Sequence, residues 1–372
     1  MKNIWLLIAL WIVTTPLSRA GFGQSKTPPT SPTPAVTASA SAAIPIAGPP
    51  PDSAGSAPDT FLEKSPLFSV EECRGLSRDI KRYRTKFLDP ISLWSSQVFS
   101  GRTYHSVFYP FSGPDVVTVV TMFPNADYYL LVADQIPEYH LMKRSRSSAE
   151  DLVEFECKIV RSYSRMGFFR THDLDGETGP RPRFLKLMAY NFALAGATIL
   201  SADPADVDTN GNVAIAADGA KPKGVRFTAR LANGRVVTLD YLQLDLSNGG
   251  LKRHPHTQAP MVKAMADITL LKAASHLLQE SSFSVLADLL TSNKSQVLVQ
   301  DETGLDIDVL AKNYQVAAYG KFTTPNKLWA KSESAKRLKR YYQDHSAAGP
   351  PPFRFGYEKA GGSALLVGTQ TP

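Results

Sequence analysis

The sequence predicts an α/β fold, with a mainly parallel sheet, helices on both faces and an added antiparallel hairpin. Three stretches carry that expectation. Ser106 to Pro137 (SVFYPFSGPDVVTVVTMFPNADYYLLVADQIP) reads as an apolar strand, a tight polar turn, a short helix ending near Phe123-Pro124 and a second apolar strand. Two strands joined through a helix lie parallel. Asp267 to Asp301 repeats the pattern, with DITLLKAA, a helix-like Phe283 to Leu290 and SQVLVQD. Between them, GVRFTARL and RVVTLDYLQLDL flank Ala232-Asn233-Gly234, and Asn-Gly between alternating runs is a strong hairpin signal.

Before these elements the chain is of a different kind. Lys2, the apolar run Ile4 to Val13 and Ser18-Arg19-Ala20 have the pattern of a secretory signal peptide over residues 1–20. The apolar core falls short of the roughly 20 residues a bilayer span requires, so no membrane-crossing helix is expected in the mature chain; an uncleaved anchor is the rival reading. Residues 21–60 are dominated by Pro, Ala, Ser, Thr and Gly, with few large side chains to bury, and predict a disordered tether. Residues 61–345 hold no second linker and are expected to form a single domain, with 346–372 a loop-rich tail. The expected destination is the periplasm or the exterior.

Within the domain, Val70 to Phe99 spaces its apolar residues for a helix broken near Asp89-Pro90, and Ser147 to Met166 opens with Ser and acids, a helix start. Arg183 to Ala195 reads as helix and Ala197 to Ala202 as the strand after it, implying another crossover. A helix from Met261 to Leu278 is the alternative to the strand at Asp267. Tyr314 to Phe322 reads as a late strand, and the Gly/Pro-rich end from Ala347 as loop. The net charge of +7 comes from 41 basic against 34 acidic residues, with a concentrated basic run only at Lys331 to Arg340. On a helix that run forms a solvated face, or a contact for anionic lipid or cell-wall polymer; export argues against nucleic acid.

Several constellations bear on chemistry. Ser112, Gly113 and Asp115 follow the first strand, at the carboxyl edge where ligands bind in parallel sheets. They either line such a site or make the turn and cap the next helix. Asp134 ends the second strand, as a ligand group or as an acid facing water. His172, with Arg170, Asp173 and Asp175, forms a polar cluster, aimed at the same cleft or simply a solvated loop. Asp301 and Glu302 end a later strand; adjacent strand residues point to opposite faces, so Asp301 with a distant acid is the better acid-base pair. Asp115, His172 and Asp301 are therefore the catalytic candidates. Asp206, Asp208 and Asn210 open a D-x-D-x-N-G pattern suited to calcium, but Ala217 stands where the loop needs its closing Glu. Cys73 and Cys157, even in number, form a disulfide or remain buried thiols. No nucleophile elbow or P-loop occurs, and Pro255 between His254 and His256 argues for loop rather than zinc.

The phrases FYPFSGPD, FPNADYYLL, LDYLQLDLSN, LLKAASHLL, LVQDETGL and AYGKF resemble a family of exported bacterial proteins of uncharacterised function. At a coarser level the element order is similar to that of methyltransferases with a Rossmann-like sheet. That resemblance implies S-adenosylmethionine against Ser112 to Asp115, with Asp134 holding its ribose. One Gly in place of a spaced set, and Pro114 without an amide donor, depart from the pattern. The expected function is a ligand-binding or non-catalytic cell-envelope protein. Its partner would be a small molecule or an envelope component. The alternatives are an enzyme at the same edge, a hydrolase or a divergent methyltransferase, and a structural partner-binding protein.

Overall fold

A computed structural model describes residues 76–134, 184–217, 222–322, 332–345, 347–349, 353–357 and 364–370, together with 157, 161, 163, 164 and 167. The signal-peptide and tether expectations lie outside these residues. So do His172, Arg170, Asp173, Asp175 and Cys73.

The described chain begins with helix α1 (Leu76–Tyr83), a π-helical turn (Arg84–Leu88) and α2 (Asp89–Val98). The break expected at Asp89-Pro90 is absent. Pro90 lacks an N–H and crowds the turn before it, and the widened turn accommodates it: Asp89 N–H donates to Arg84 O, so the helix continues through the proline. β1 (Ser106–Pro110), α3 (Val116–Met122) and β2 (Tyr128–Asp134) follow as the pattern predicts. Then come α4 (Phe184–Leu194), β3 (Thr198–Val207), β4 (Val213–Ile215), β5 (Gly224–Arg230) and β6 (Val236–Leu244). The second half holds α5 (Asn248–Arg253), α6 (Gln258–Ala264), β7 (Ile268–Leu271), α7 (Ser284–Ser292), β8 (Val297–Gln300), α8 (Ile307–Asn313), β9 (Gln315–Gly320), α9 (Glu333–Asp344) and β10 (Ala364–Thr369). The longer helix considered from Met261 does not form; α6 stops at Ala264 and β7 begins four residues later.

The ten strands among the described residues join one sheet in the order β4-β3-β5-β6-β2-β1-β7-β8-β10-β9. Its centre, β6-β2-β1-β7-β8, is parallel throughout. From β1 the sheet grows one way through β2 and β6 and the other way through β7 and β8. The growth direction therefore switches between β1 and β7. Both flanks are antiparallel: β5, β3 and β4 on one side, β10 and β9 on the other.

Two expectations need correction here. The strand after α4 completes no parallel crossover; β3 runs antiparallel to β5, extending the ribbon past its two expected strands. The C-terminal stretch is not all loop, because β10 inserts between β8 and β9 with Ala364 to Val367 buried. A run of four apolar residues suffices for a strand buried on both faces.

Side chains alternate across the pleat. Val107, Tyr109, Tyr129 and Leu131 join one core with α1 to α4, through Tyr83, Trp94, Val117 and Phe192. Phe108, Leu130 and Val132 join a second core with α5 to α9, through Leu251, Met261, Leu286, Leu310 and Leu338. The basic residues from Lys336 to Arg340 lie on α9, where Lys336 pairs with Glu333 and Arg337 with Asp306. No helix among the described residues is long and apolar enough to cross a membrane.

The β5-β6 turn closes where Asn-Gly predicts, with Leu231 N–H donating to Arg235 O (2.8 Å) and Gly234 in the left-handed region (φ 83°). A Cβ on Gly234 would meet nothing within 4 Å. Backbone strain is therefore isolated from packing, and Gly234→Ala should destabilise the protein by about 1 kcal/mol. Urea unfolding with an unchanged m-value checks it.

Candidate functional site at the carboxyl edge

The carboxyl ends of β1 and β7 flank the point where the sheet changes its direction of growth, the usual ligand crevice of open α/β sheets. Both positive-φ non-glycine residues of the described chain sit there: Phe111 (φ 55°), directly after β1, and Ala273 (φ 58°), two residues after β7. Such conformations cost roughly 1–3 kcal/mol each and persist where the surroundings hold them.

After Phe111 the chain turns through Ser112-Gly113-Pro114-Asp115 into α3. Ser112 N–H donates to Val132 O (3.2 Å), which pins the turn to the end of β2. Asp115 stands at the cap position of α3, but its side chain makes no cap bond. It points inward instead. Its carboxylate accepts from Lys272 Nζ (2.7 Å), Tyr109 Oη (3.0 Å) and Tyr163 Oη (2.5 Å). Lys272 is the first residue after β7, and its ammonium also donates to Gly167 O (2.6 Å) and Thr118 Oγ1 (3.3 Å). Its Nζ lies 5.6 Å from the centre of the Phe355 ring. Side chains of both ion-pair partners are at most 3% exposed.

Tyr83 extends the network by donating to Tyr163 Oη (3.2 Å). Burial, reinforced by the Asp115 charge, pushes the phenols of Tyr109 and Tyr163 well above their ordinary range. They remain protonated donors across the physiological pH range. Three phenols, one ammonium and one carboxylate thus satisfy one another away from water. A buried charge pair is tolerable only with such additional hydrogen bonds.

Asp301 follows β8 and is fully buried. One oxygen accepts Ala273 N–H (2.7 Å) and the other accepts Thr303 N–H (2.8 Å) and the Thr303 hydroxyl. Burial raises its pKa; the Thr303 and Ala273 hydrogen bonds and the Lys272 charge oppose this in part. Consecutive residues Lys272 and Ala273 therefore link Asp115 and Asp301. Glu302, buried beside it, accepts Tyr357 N–H (3.0 Å).

Asp134 lies apart from these groups, at the β2-β6 side, where it accepts Leu246 N–H (2.9 Å). The sequence candidates therefore divide: Asp115 and Asp301 share a closed network, and Asp134 holds the chain after β6. The Ser112 hydroxyl is buried without a partner among the described residues, while a Cβ on Gly113 would meet nothing within 4 Å.

Asp208 accepts the N–H groups of Asn210 (2.9 Å) and Asn212 (2.8 Å), forming an Asx turn between β3 and β4. Asp206 lies 3.6 Å from Lys223 Nζ. The carboxylates offered for calcium are thus engaged by the turn and by a lysine. No group of three His, Cys, Asp or Glu suited to a metal occurs among the described residues. Cys157 is buried and held in a disulfide.

Sequence reasoning missed Lys272, Tyr109 and Tyr163. The available signal was a single lysine directly after the apolar run Ile268 to Leu271, at a carboxyl edge. No protein-family model matches the chain, and comparison with curated proteins finds no match.

Removing one partner of a buried pair strands the other. Lys272→Met should cost about 3–5 kcal/mol, and the double variant Asp115→Asn/Lys272→Met less than the two single losses combined. Urea unfolding of the four proteins in a double-mutant cycle measures the coupling.

Proposed function

We propose that the protein is exported to the cell envelope and binds a small molecule at the β1-β2 side of the carboxyl edge, without catalysing a reaction on it. The observation that carries this reading is the division of polar groups at that edge. Asp115, Lys272 and Asp301, the groups suited to acid-base work, are closed to solvent and hydrogen-bonded to protein. The Ser112 hydroxyl, also buried, has no partner among the described residues; it lies beside the open backbone of Gly113, and the Ser112 N–H donates to Val132 O, two residues before Asp134. A hydroxyl, with the Asp134 carboxylate that already accepts Leu246 N–H nearby, suits a hydroxylated ligand such as a cell-wall saccharide. The apolar start of the chain supports export.

A divergent S-adenosylmethionine-dependent methyltransferase is the second reading. The parallel strands β6-β2-β1-β7-β8 support it, since they follow the 3-2-1-4-5 order of a doubly wound sheet with its crevice at β1. Against it stand the saturated Asp115 carboxylate and Pro114 in the turn where the cofactor's phosphate-free methionine end would need amide donors.

Thermal unfolding of the secreted chain separates the readings. The probes are soluble peptidoglycan fragments, S-adenosylmethionine, its demethylated product and calcium. A ligand at a hundred times its dissociation constant adds roughly 2.7 kcal/mol. The expected result is a shift with the saccharide fragments that Ser112→Ala and Asp134→Ala each reduce. A shift with S-adenosylmethionine instead would establish the second reading, and no shift with the saccharide fragments would remove the first.

A further inference from the structure

The chain's own segment Phe353–Tyr357 occupies the other half of the carboxyl edge, at β7 and β8. It lies between α9 and β10 without regular secondary structure. Gly356 is in the left-handed region (φ 70°), and its backbone presses on two carboxylates. A Cβ there would collide with Asp301 Oδ2 and lie 2.8 Å from Glu302 Oε2. Tyr357 donates its N–H to Glu302, and Phe355, 1% exposed, covers the Lys272 ammonium. Phe353 anchors the start of the segment edge-on against Trp94, with ring centres 5.6 Å apart.

These contacts supply what a bound molecule would supply. An N–H group faces a carboxylate, and an aromatic ring lies over a buried cation. The position is one where open α/β sheets receive ligands. We infer that Phe353–Tyr357 is an autoinhibitory strap, an internal occupant whose release uncovers Lys272, Asp301 and Glu302 and enlarges the binding site at the adjacent β1-β2 edge. The inference rests on the reading of that edge as a ligand site. The only side chain that fits at 356 is hydrogen, so this residue sets how firmly the strap is seated.

Amine acetylation of the full chain tests the strap without any ligand. Lys272 is pulse-labelled with acetic anhydride and quantified by mass spectrometry in the wild type, Gly356→Ala and Gly356→Val, with exposed Lys339 on α9 as internal reference and far-UV circular dichroism as a check on the sheet. Labelling of Lys272 tracks the population of the opened strap. It should rise about tenfold in Gly356→Ala and further in Gly356→Val, with Lys339 and the spectrum unchanged. Lys272 labelling that stays at the wild-type rate in both variants, or that rises only with loss of the helical and sheet signal, would overturn the inference. Because no ligand enters the assay, its result is independent of the thermal shifts with saccharide fragments.

Discussion

The Asp115–Lys272 ion pair is the interaction on which the arrangement of this protein depends. Two opposite charges taken out of water each carry a desolvation penalty of several kcal/mol, recovered only when every remaining donor and acceptor finds a partner. That condition explains the surroundings. Tyr109 reaches the carboxylate from β1, Tyr163 reaches it from a part of the chain outside the sheet, and Gly167 offers its carbonyl to the ammonium. Four parts of the chain converge on one pair. The strained backbones of Phe111 and Ala273 lie next to it, where the surrounding bonds are dense enough to hold them.

The same saturation governs what chemistry the edge supports. An acid or base must exchange a proton with a ligand in hydrogen-bond reach. Asp115 receives three donors, the Lys272 ammonium already has three acceptors, and the neighbouring phenols are held in their protonated form. Asp301 has a raised proton affinity from burial, a feature often found at active sites. Here both its oxygens face backbone N–H groups of the same edge, so the perturbation reports on packing. Position at a switch point marks a place built for ligands, and the chemistry available there is set by which groups remain unpaired.

The legible part of the fold was the part written in local pattern. The β1-α3-β2 unit, the Asn233-Gly234 turn and the β7-to-β8 unit each have apolar runs between turn residues, and all three formed as read. The direction of β3 was not legible, because pairing with β5 depends on contacts beyond the local sequence. β10 was hidden because its apolar run is short and lies in a stretch rich in Gly and Pro. The carboxyl edge was located correctly from Ser112 to Asp115, yet its meaning depended on Lys272, 157 positions from Asp115. A spacing argument reaches only along one element. A residue whose role is to neutralise a charge on a distant strand leaves no periodic trace; its sole mark was a lysine where an apolar run ends.

Lys272 also joins the two halves of the edge. Its ammonium holds Asp115 on the β1 side, while Phe355 covers it on the β8 side, and the next residue donates to Asp301. A change in the cover over Lys272 alters the dielectric around the ion pair, and with it the free energy of the turn that carries Ser112 and Gly113. On the proposed reading, any coupling between ligand at the Ser112 side and the strap acts equally in both directions. Occupation of the Ser112 side would then bias the strap, just as release of the strap would alter affinity at Ser112. The buried pair is thus the element that both halves of the edge contact.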